Sequence, residues 1–502
     1  MAARDYRFDG KFFVGVKTTG IYCRPICPAK PKRENVEFFS SALDAERAGY
    51  RPCLRCRPEC APLSPAWAGT SSVVQRALKL IAANGLLDSN EDEFAAKLGL
   101  GARHLRRLFD AEIGQTPKQI SDNHRLNFSR KLIVETQIPI LAVAMSAGFS
   151  SLRRFNDAFK KRFRRAPSEV RKQRPGAGAN ADANMDDGQG IELSLAIRPP
   201  FDWKTLIGFF RIHRIPGIET ATENTFSRVF RIGNSSGQIF VWRVPDEPSL
   251  KLRVITSDPK ILFDVVQRVR RMFDLDSDPL LIMNSFSEVP ILRRLCERNP
   301  GLRLPRGWDP FETAICAILG QCVSVAHASA LIGQLVHAYG DAAPNLSGAQ
   351  ARFFPTPECL ARSDLSRVHT TGARKATIRE FSKRIMSGAL TLSEAQDPAA
   401  FRKKILEIDG IGPWSSEYIC LRAIGDTDAF PGSDLILKRA LERYSSLNLD
   451  LVKPWRSYAA IYLWNDFANS PRRFQSRRRR NKHALLQCDE FASRTSNADC
   501  KQ

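Results

Sequence analysis

The cysteines constrain this chain more than any other feature. Of 12 in 502 residues, five crowd between Cys23 and Cys60, and the others are scattered singly. The spacing is Cys23-x3-Cys27 and then Cys53-x2-Cys56, with Pro25, Pro28 and Pro52 stiffening the turns. Two short pairs separated in this way are how four thiolates converge on tetrahedral Zn²⁺. A disulfide framework belongs to oxidising compartments, and the opening sequence MAARDYRFDGKFFVGV lacks the charged-then-apolar layout of a secretory signal. A reducing cytoplasm is expected. Cys60 is a fifth thiol able to compete with Cys56, and a purely structural zinc knuckle is the bland alternative to a reactive centre.

A formal net charge of +23 makes a polyanion the first partner to consider. Nucleic acid fits better than an anionic membrane, since no stretch approaches the ~18 apolar residues of a spanning helix. Hydrophobic residues make up 43%, enough to bury real cores in several domains. Residues 1–70 form the cysteine-rich segment, and helical periodicity then runs through 71–173. PGAGANADANMDDGQG follows and reads as a flexible linker over 174–190. IELSLAI and QIFVWRV read as strands and KILFDVVQRVRRMF as a helix, giving a mixed α+β subdomain over 191–285. Helices broken by Pro/Gly turns fill 286–470, and the basic tail over 471–502 is expected to be disordered. The fold class is therefore multidomain, mainly α with α+β parts.

The segment VKTTGIYCRPICPAKPKRENVEFFSSALDAERAGYRPCLRCRP resembles the N-terminal domain of the bacterial adaptive-response protein Ada. The resemblance implies one zinc held by Cys23, Cys27, Cys53 and Cys56. It also implies that Cys23 accepts, once and irreversibly, a methyl group from a DNA methylphosphotriester. Zinc keeps thiolates deprotonated at neutral pH, which supplies a nucleophile without a general base. Four thiolates on Zn²⁺ carry a formal −2, and converting one to a thioether leaves −1. Methylation at Cys23 is thus expected to strengthen DNA binding. The Pro-Cys-His-Arg site of O6-methylguanine acceptors is absent from the sequence.

Two helix–turn–helix patterns follow, EDEFAAKLGLGARHLRRLFDAEIG with its turn near Gly99 and IPILAVAMSAGFSSLRRFNDAFKKRFRRAPSEVR with its turn near Gly148. The pair resembles the AraC-type DNA-binding domain, which implies that each second helix enters a major groove. Arg103, Arg106 and Arg107 in the first, with Arg153, Arg154 and Asn156 in the second, suit bases or phosphates. A solvated basic face is the plainer reading of any one of them.

In the C-terminal half, LEIDGIGPWSSEYICL places Gly410 and Gly412 between helical patterns, a helix–hairpin–helix whose glycines admit a phosphate. AFPGSDLILKRAL then brings an aspartate to a helix start. With RPPFDWKTLIGFF, PGLRLPRGWDPFETAICAILGQCVSVAHA and KPWRSYAAIYLW, these resemble the helix–hairpin–helix glycosylases, AlkA-type 3-methyladenine DNA glycosylase II in particular. The resemblance implies Asp434 as catalytic carboxylate, for which a helix N-cap is the structural reading. It implies Trp414, Tyr418 and Trp464 as the base pocket, for which core packing is the plainer role. Trp414 fills the position where strand-cleaving members carry a lysine, so a monofunctional enzyme is expected. Cys322 stands where the family has a leucine wedge, and Gln321 is expected to help plug the stack. The implied partners are duplex DNA with alkylated bases and methylphosphotriesters, promoter DNA and RNA polymerase, with no membrane and a monomeric chain. The rival reading is a methylation-sensing activator whose glycosylase half only adds DNA affinity.

Overall fold

The computed structural model describes residues 12–53 apart from short gaps, then 72–82, 90–172, 190–343, 351–393 and 396–469. Cys56, Cys60, nearly all of the expected linker and the basic tail lie outside these residues. No described helix is long and apolar enough to cross a membrane.

The N-terminal segment is a small sheet of β1 (Phe13–Val16), β2 (Ile21–Cys23), β3 (Val36–Phe39) and β4 (Arg51–Pro52), in the order β3-β1-β2-β4. β2 pairs in parallel with β4, and Tyr22 opposite Pro52 sets Cys53 beside the end of β2. The Cys53 amide donates to the Tyr22 carbonyl at 3.0 Å, which fixes that approach.

Seven helices follow: α1 (Ser72–Ala82), α2 (Glu91–Ala96), α3 (Ala102–Glu112), α4 (Pro117–Glu135), α5 (Ile140–Ser146), α6 (Leu152–Phe163) and α7 (Pro167–Lys172). Their starts are written in the sequence. Asn90 caps α2, Ser151 caps α6, and Thr116 with Gln119 closes a capping box ahead of Pro117. The turns fall where expected, at Gly99 and Gly148, both in the left-handed region. The two helix–turn–helix units are buried differently. The first closes its own core around Val74, Phe94, Leu105 and Phe109. Val143, Phe155 and Phe159 of the second, with Leu132 on α4, belong to a core continuous with the next sheet.

That sheet holds β5 (Ile191–Ala196), β6 (Glu219–Ala221), β7 (Thr225–Ile232), β8 (Ser235–Arg243) and β9 (Ser249–Thr256), antiparallel throughout in the order β5-β9-β8-β7-β6. Helices α8 (Trp203–His213) and α9 (Leu262–Met272) complete the α+β unit. β5 buries Ile191, Leu193 and Leu195 in strict alternation, as a one-faced strand should. Being an edge strand, it leaves backbone groups to satisfy. Helix α4, which leads into the second helix–turn–helix, does this: Glu135 accepts from the Ser194 amide at 2.8 Å and Lys131 donates to the Ser194 carbonyl. Phe128 meets Phe263 edge-on at 5.0 Å, and Ser146 Oγ donates to the Pro259 carbonyl.

The helical region runs through α10 (Pro279–Ser285), α11 (Pro290–Arg298), α12 (Pro310–Leu319), α13 (Val325–Tyr339), α14 (Pro357–Arg362), α15 (Gly372–Met386), α16 (Pro398–Leu406), α17 (Pro413–Ile419), α18 (Leu435–Arg443) and α19 (Arg456–Asn469). Six of these begin on proline, whose missing N–H costs nothing in the first turn. α12 is the central helix, with Ala314, Ile315, Ile318 and Leu319 fully buried. Sheet and helices are pinned by a buried ion triad in which Arg228 on β7 donates to Glu219 on β6 and Glu312 on α12. The chain is thus multidomain and mainly helical, with two small sheets.

Candidate functional site

Cys23 ends β2, Cys27 follows a tight turn closed by its amide on the Arg24 carbonyl, and Cys53 follows β4. The three thiol sulfurs lie within 4.8 Å of one another and are buried. Thiolates around tetrahedral zinc, at ~2.3 Å from the metal, stand roughly 3.8 Å apart, so the three residues fit that ion. Soft sulfur donors favour it over magnesium or calcium.

On α3 and α6, the expected DNA-facing side chains Arg103, Arg106, Arg107, Arg153, Arg154 and Asn156 are all exposed, opposite the buried Leu105, Phe109, Phe155 and Phe159. They are not equally free. Arg106 makes a two-pronged ion pair with Glu91, at 2.7 and 2.6 Å, and Arg107 Nη2 stands 3.1 Å from His104 Nδ1.

The carboxylate of Asp434 gathers four N–H donors. Oδ1 accepts from the Ile436 and Leu437 amides at 2.9 and 3.1 Å and from Trp464 Nε1 at 3.0 Å, while Oδ2 accepts from Trp414 Nε1 at 3.2 Å. The N-cap and the site aspartate are one residue: the cap fixes the side chain and the indoles aim it. Trp414 on α17 stacks on Tyr418, with ring centres 5.0 Å apart at 16°, and Trp464 on α19 meets Tyr418 edge-on at 6.4 Å. All four are partly exposed, so the expected aromatic group does come together around the aspartate at the surface. Sequence reasoning missed that both indole N–H groups are spent on the carboxylate.

It also missed what lies behind Tyr418. Arg422, four residues on, is 9% exposed and donates Nη1 to the Tyr418 hydroxyl at 2.8 Å. Its guanidinium lies over the rings of Phe209, at 4.6 Å, and Tyr418, at 5.6 Å. His213 stacks on Phe209 at 4.0 Å. Burial pushes the His213 pKa down to about 4, and the Arg422 charge adds to the effect, so this ring stays neutral. The i,i+4 spacing of Tyr418 and Arg422 was the available signal.

The hairpin and the α12–α13 loop are braced together. Gln321 Nε2 donates to the Gly410 carbonyl at 2.8 Å and to Ser415 Oγ at 2.7 Å. Both amide hydrogens are thereby engaged, and the side chain braces the loop against the hairpin. Cys322 is left exposed at the loop's tip with a φ of 54°, a conformation that side chains rarely adopt. Gly410, at φ 85°, has a local reason to be glycine: a Cβ would come within 2.2 Å of Thr377 Oγ1. Gly412 is the exposed, unhindered N-cap of α17.

Comparison with known proteins agrees with this division. The metal binding domain of Ada matches residues 1–59, a helix-turn-helix domain matches 94–173, and the AlkA N-terminal domain matches 192–309. The DNA-3-methyladenine glycosylase 2 of Escherichia coli is 28% identical over 53% of this chain and 94% of its own length. The bifunctional transcriptional activator/DNA repair enzyme Ada of the same organism is 36% identical over 29% of this chain and 40% of its own length. A probable bifunctional transcriptional activator/DNA repair enzyme AlkA of Mycobacterium tuberculosis is 35% identical over 92% of this chain and 94% of its own length. The chain therefore belongs to the family of bifunctional transcriptional activator/DNA repair proteins that join an Ada-type N-terminal half to an AlkA-type glycosylase.

Proposed function

We propose that this chain repairs alkylated DNA by two separate chemistries, releasing alkylated bases at Asp434 and accepting phosphotriester methyl groups at Cys23. The observation that carries the first is the Asp434 carboxylate held by two indole N–H groups beside the Trp414–Tyr418 stack. A base alkylated at N3 of adenine or N7 of guanine is cationic and leaves readily. The flipped base stacks against electron-rich rings, which attract a cation by ~0.5–2 kcal/mol each. As the C1′–N bond breaks, its electron pair leaves with the base, and the carboxylate stabilises the positive sugar. Water then adds to C1′ and gives up a proton, leaving an abasic site. Trp414 occupies the place of a Schiff-base lysine, so the strand is not cut.

At the other end, Cys23, Cys27 and Cys53, with Cys56 from outside the described residues, would hold one zinc through four thiolates. Bound zinc keeps the thiols ionised. The Cys23 sulfur then takes the methyl carbon, the C–O bond breaks, and the phosphotriester returns to a phosphodiester anion. The thioether formed is not reversed, so each chain acts once. Arg103, Arg107, Arg153, Arg154 and Asn156, all exposed, read promoter DNA or its backbone, and Gly410 and Gly412 seat a phosphate at the hairpin. Recruitment of RNA polymerase by a monomeric, cytoplasmic chain completes this reading.

One incubation with methylated duplex DNA tests both activities. Asp434→Asn should lower release of 3-methyladenine by at least about a hundredfold, and Cys23→Ser should abolish methyl transfer from phosphotriesters. Base release by Asp434→Asn at the wild-type rate overturns the role of Asp434, and a wild type that releases no base leaves the rival reading, an activator whose glycosylase half only adds affinity.

A further inference from the structure

Three buried arginines among the described residues find anionic or carbonyl partners. Arg228 has Glu219 and Glu312, Arg198 has Asp278, and Arg303 donates to Ser277 and to the carbonyls of Arg198 and Pro200. Arg422 does not. Among the described residues no carboxylate pairs with it, and its side chain makes one hydrogen bond, to the Tyr418 hydroxyl. Its faces are covered by the Phe209 and Tyr418 rings. It also stands on a π-helical turn, Cys420–Ile424, that continues directly from α17. Such turns are rare and gather at functional sites. Burying a cation behind a base-binding stack without an anion is costly unless a ligand completes its bonding.

The direction of the hydrogen bond says which ligand. Arginine only donates, so the Tyr418 oxygen must accept and its own hydrogen is free to be given elsewhere. The phenol end of the stack therefore presents donors. A purine with an oxygen at C6 offers lone pairs there, whereas a purine with an amino group offers hydrogens. We propose that Arg422 and Tyr418 form the donor end of the base pocket and select alkylated purines with a 6-oxo group over those with a 6-amino group. This rests on the glycosylase reading above. Arg422 is then a specificity residue of that site, and alkylated guanine is favoured over alkylated adenine.

The test compares two lesions methylated at the same atom, 3-methylguanine and 3-methyladenine, both cationic in DNA. Methylated duplex DNA is incubated with the full-length wild type, Arg422→Met and Arg422→Lys, and the released bases are quantified. Arg422→Met keeps an unbranched chain between the two rings and removes charge and donors. It should lower release of 3-methylguanine about tenfold more than that of 3-methyladenine, in line with sites built to hydrogen-bond their substrate. Arg422→Lys, which restores a cationic donor, should recover much of the ratio. Equal losses of both bases would show an arginine that merely pins Phe209 to Tyr418, and an unchanged ratio would likewise overturn the assignment. A wild type that releases neither base overturns the glycosylase reading itself.

Discussion

The Cys23 centre and the Asp434 centre, the two sites of the proposed function, are built on opposite plans. At Cys23 the protein supplies sulfur donors from two strand ends and a turn, an arrangement that fits a metal ion. At Asp434 the protein holds the group itself, with a helix start and two indoles. In the proposed function the Cys23 thiolate is a reactive nucleophile that becomes a thioether, whereas the Asp434 carboxylate is not consumed. A site consumed in acting can report damage, whereas a site that survives can clear it.

The largest effect that could break this contrast is metal removal. Stripping zinc with a strong chelator should abolish phosphotriester methyl transfer while base release persists, read as two product assays on one sample. Loss of both would mean that the aspartate site also depends on the metal. Next is the indole brace: Trp464→Phe keeps a ring and removes one N–H from Asp434, and kcat for base release should fall about ten- to hundredfold with a smaller change in KM. A KM effect alone would return Trp464 to simple stacking.

A third variant probes how the halves are joined. Lys131 and Glu135 are both nearly buried and close the β5 edge on Ser194. Lys131→Met leaves Glu135 without that cation and should cost about 3 kcal/mol in denaturant unfolding. If the second helix–turn–helix and the sheet were independent, the glycosylase half would unfold as in wild type. The smallest effect comes from His213. Its folded pKa near 4 lies below the unfolded value near 6.5, so the unfolded chain binds more protons between them. Stability is present above pH 6.5 and lost as pH falls toward 4. His213→Leu should flatten that loss, worth at most about 2 kcal/mol, in thermal melts at pH 7.5 and 5.

Much of this was legible in the sequence because the signals are local. Cysteine spacing, capping residues such as Thr116 and Gln119, and the turn glycines Gly99 and Gly148 depend on a few neighbouring residues. What stayed hidden depends on groups far apart in the chain. β7 was not singled out because Arg228 interrupts its apolar run, and only Glu219 and Glu312 make that charge tolerable inside. A linker is expected between the helix–turn–helix segment and the α+β unit, and Phe128 on α4 packs on Phe263 across it. The brace from Gln321 to Gly410 and Ser415 joins groups 89 and 94 positions apart and has no local signal. Trp414 and Trp464 were expected to line a pocket as rings, and their N–H groups found Asp434 from 20 and 30 positions away.

The most direct test of the contrast is stoichiometry in one reaction. Full-length protein is mixed with excess duplex DNA carrying both methylated bases and methylphosphotriesters, and both products are counted per chain over time. Methyl groups on protein should plateau at about one per chain, on Cys23, while free 3-methyladenine continues to accumulate well past one per chain. Base release that also stops at one per chain, or methyl transfer that keeps turning over, would contradict the account.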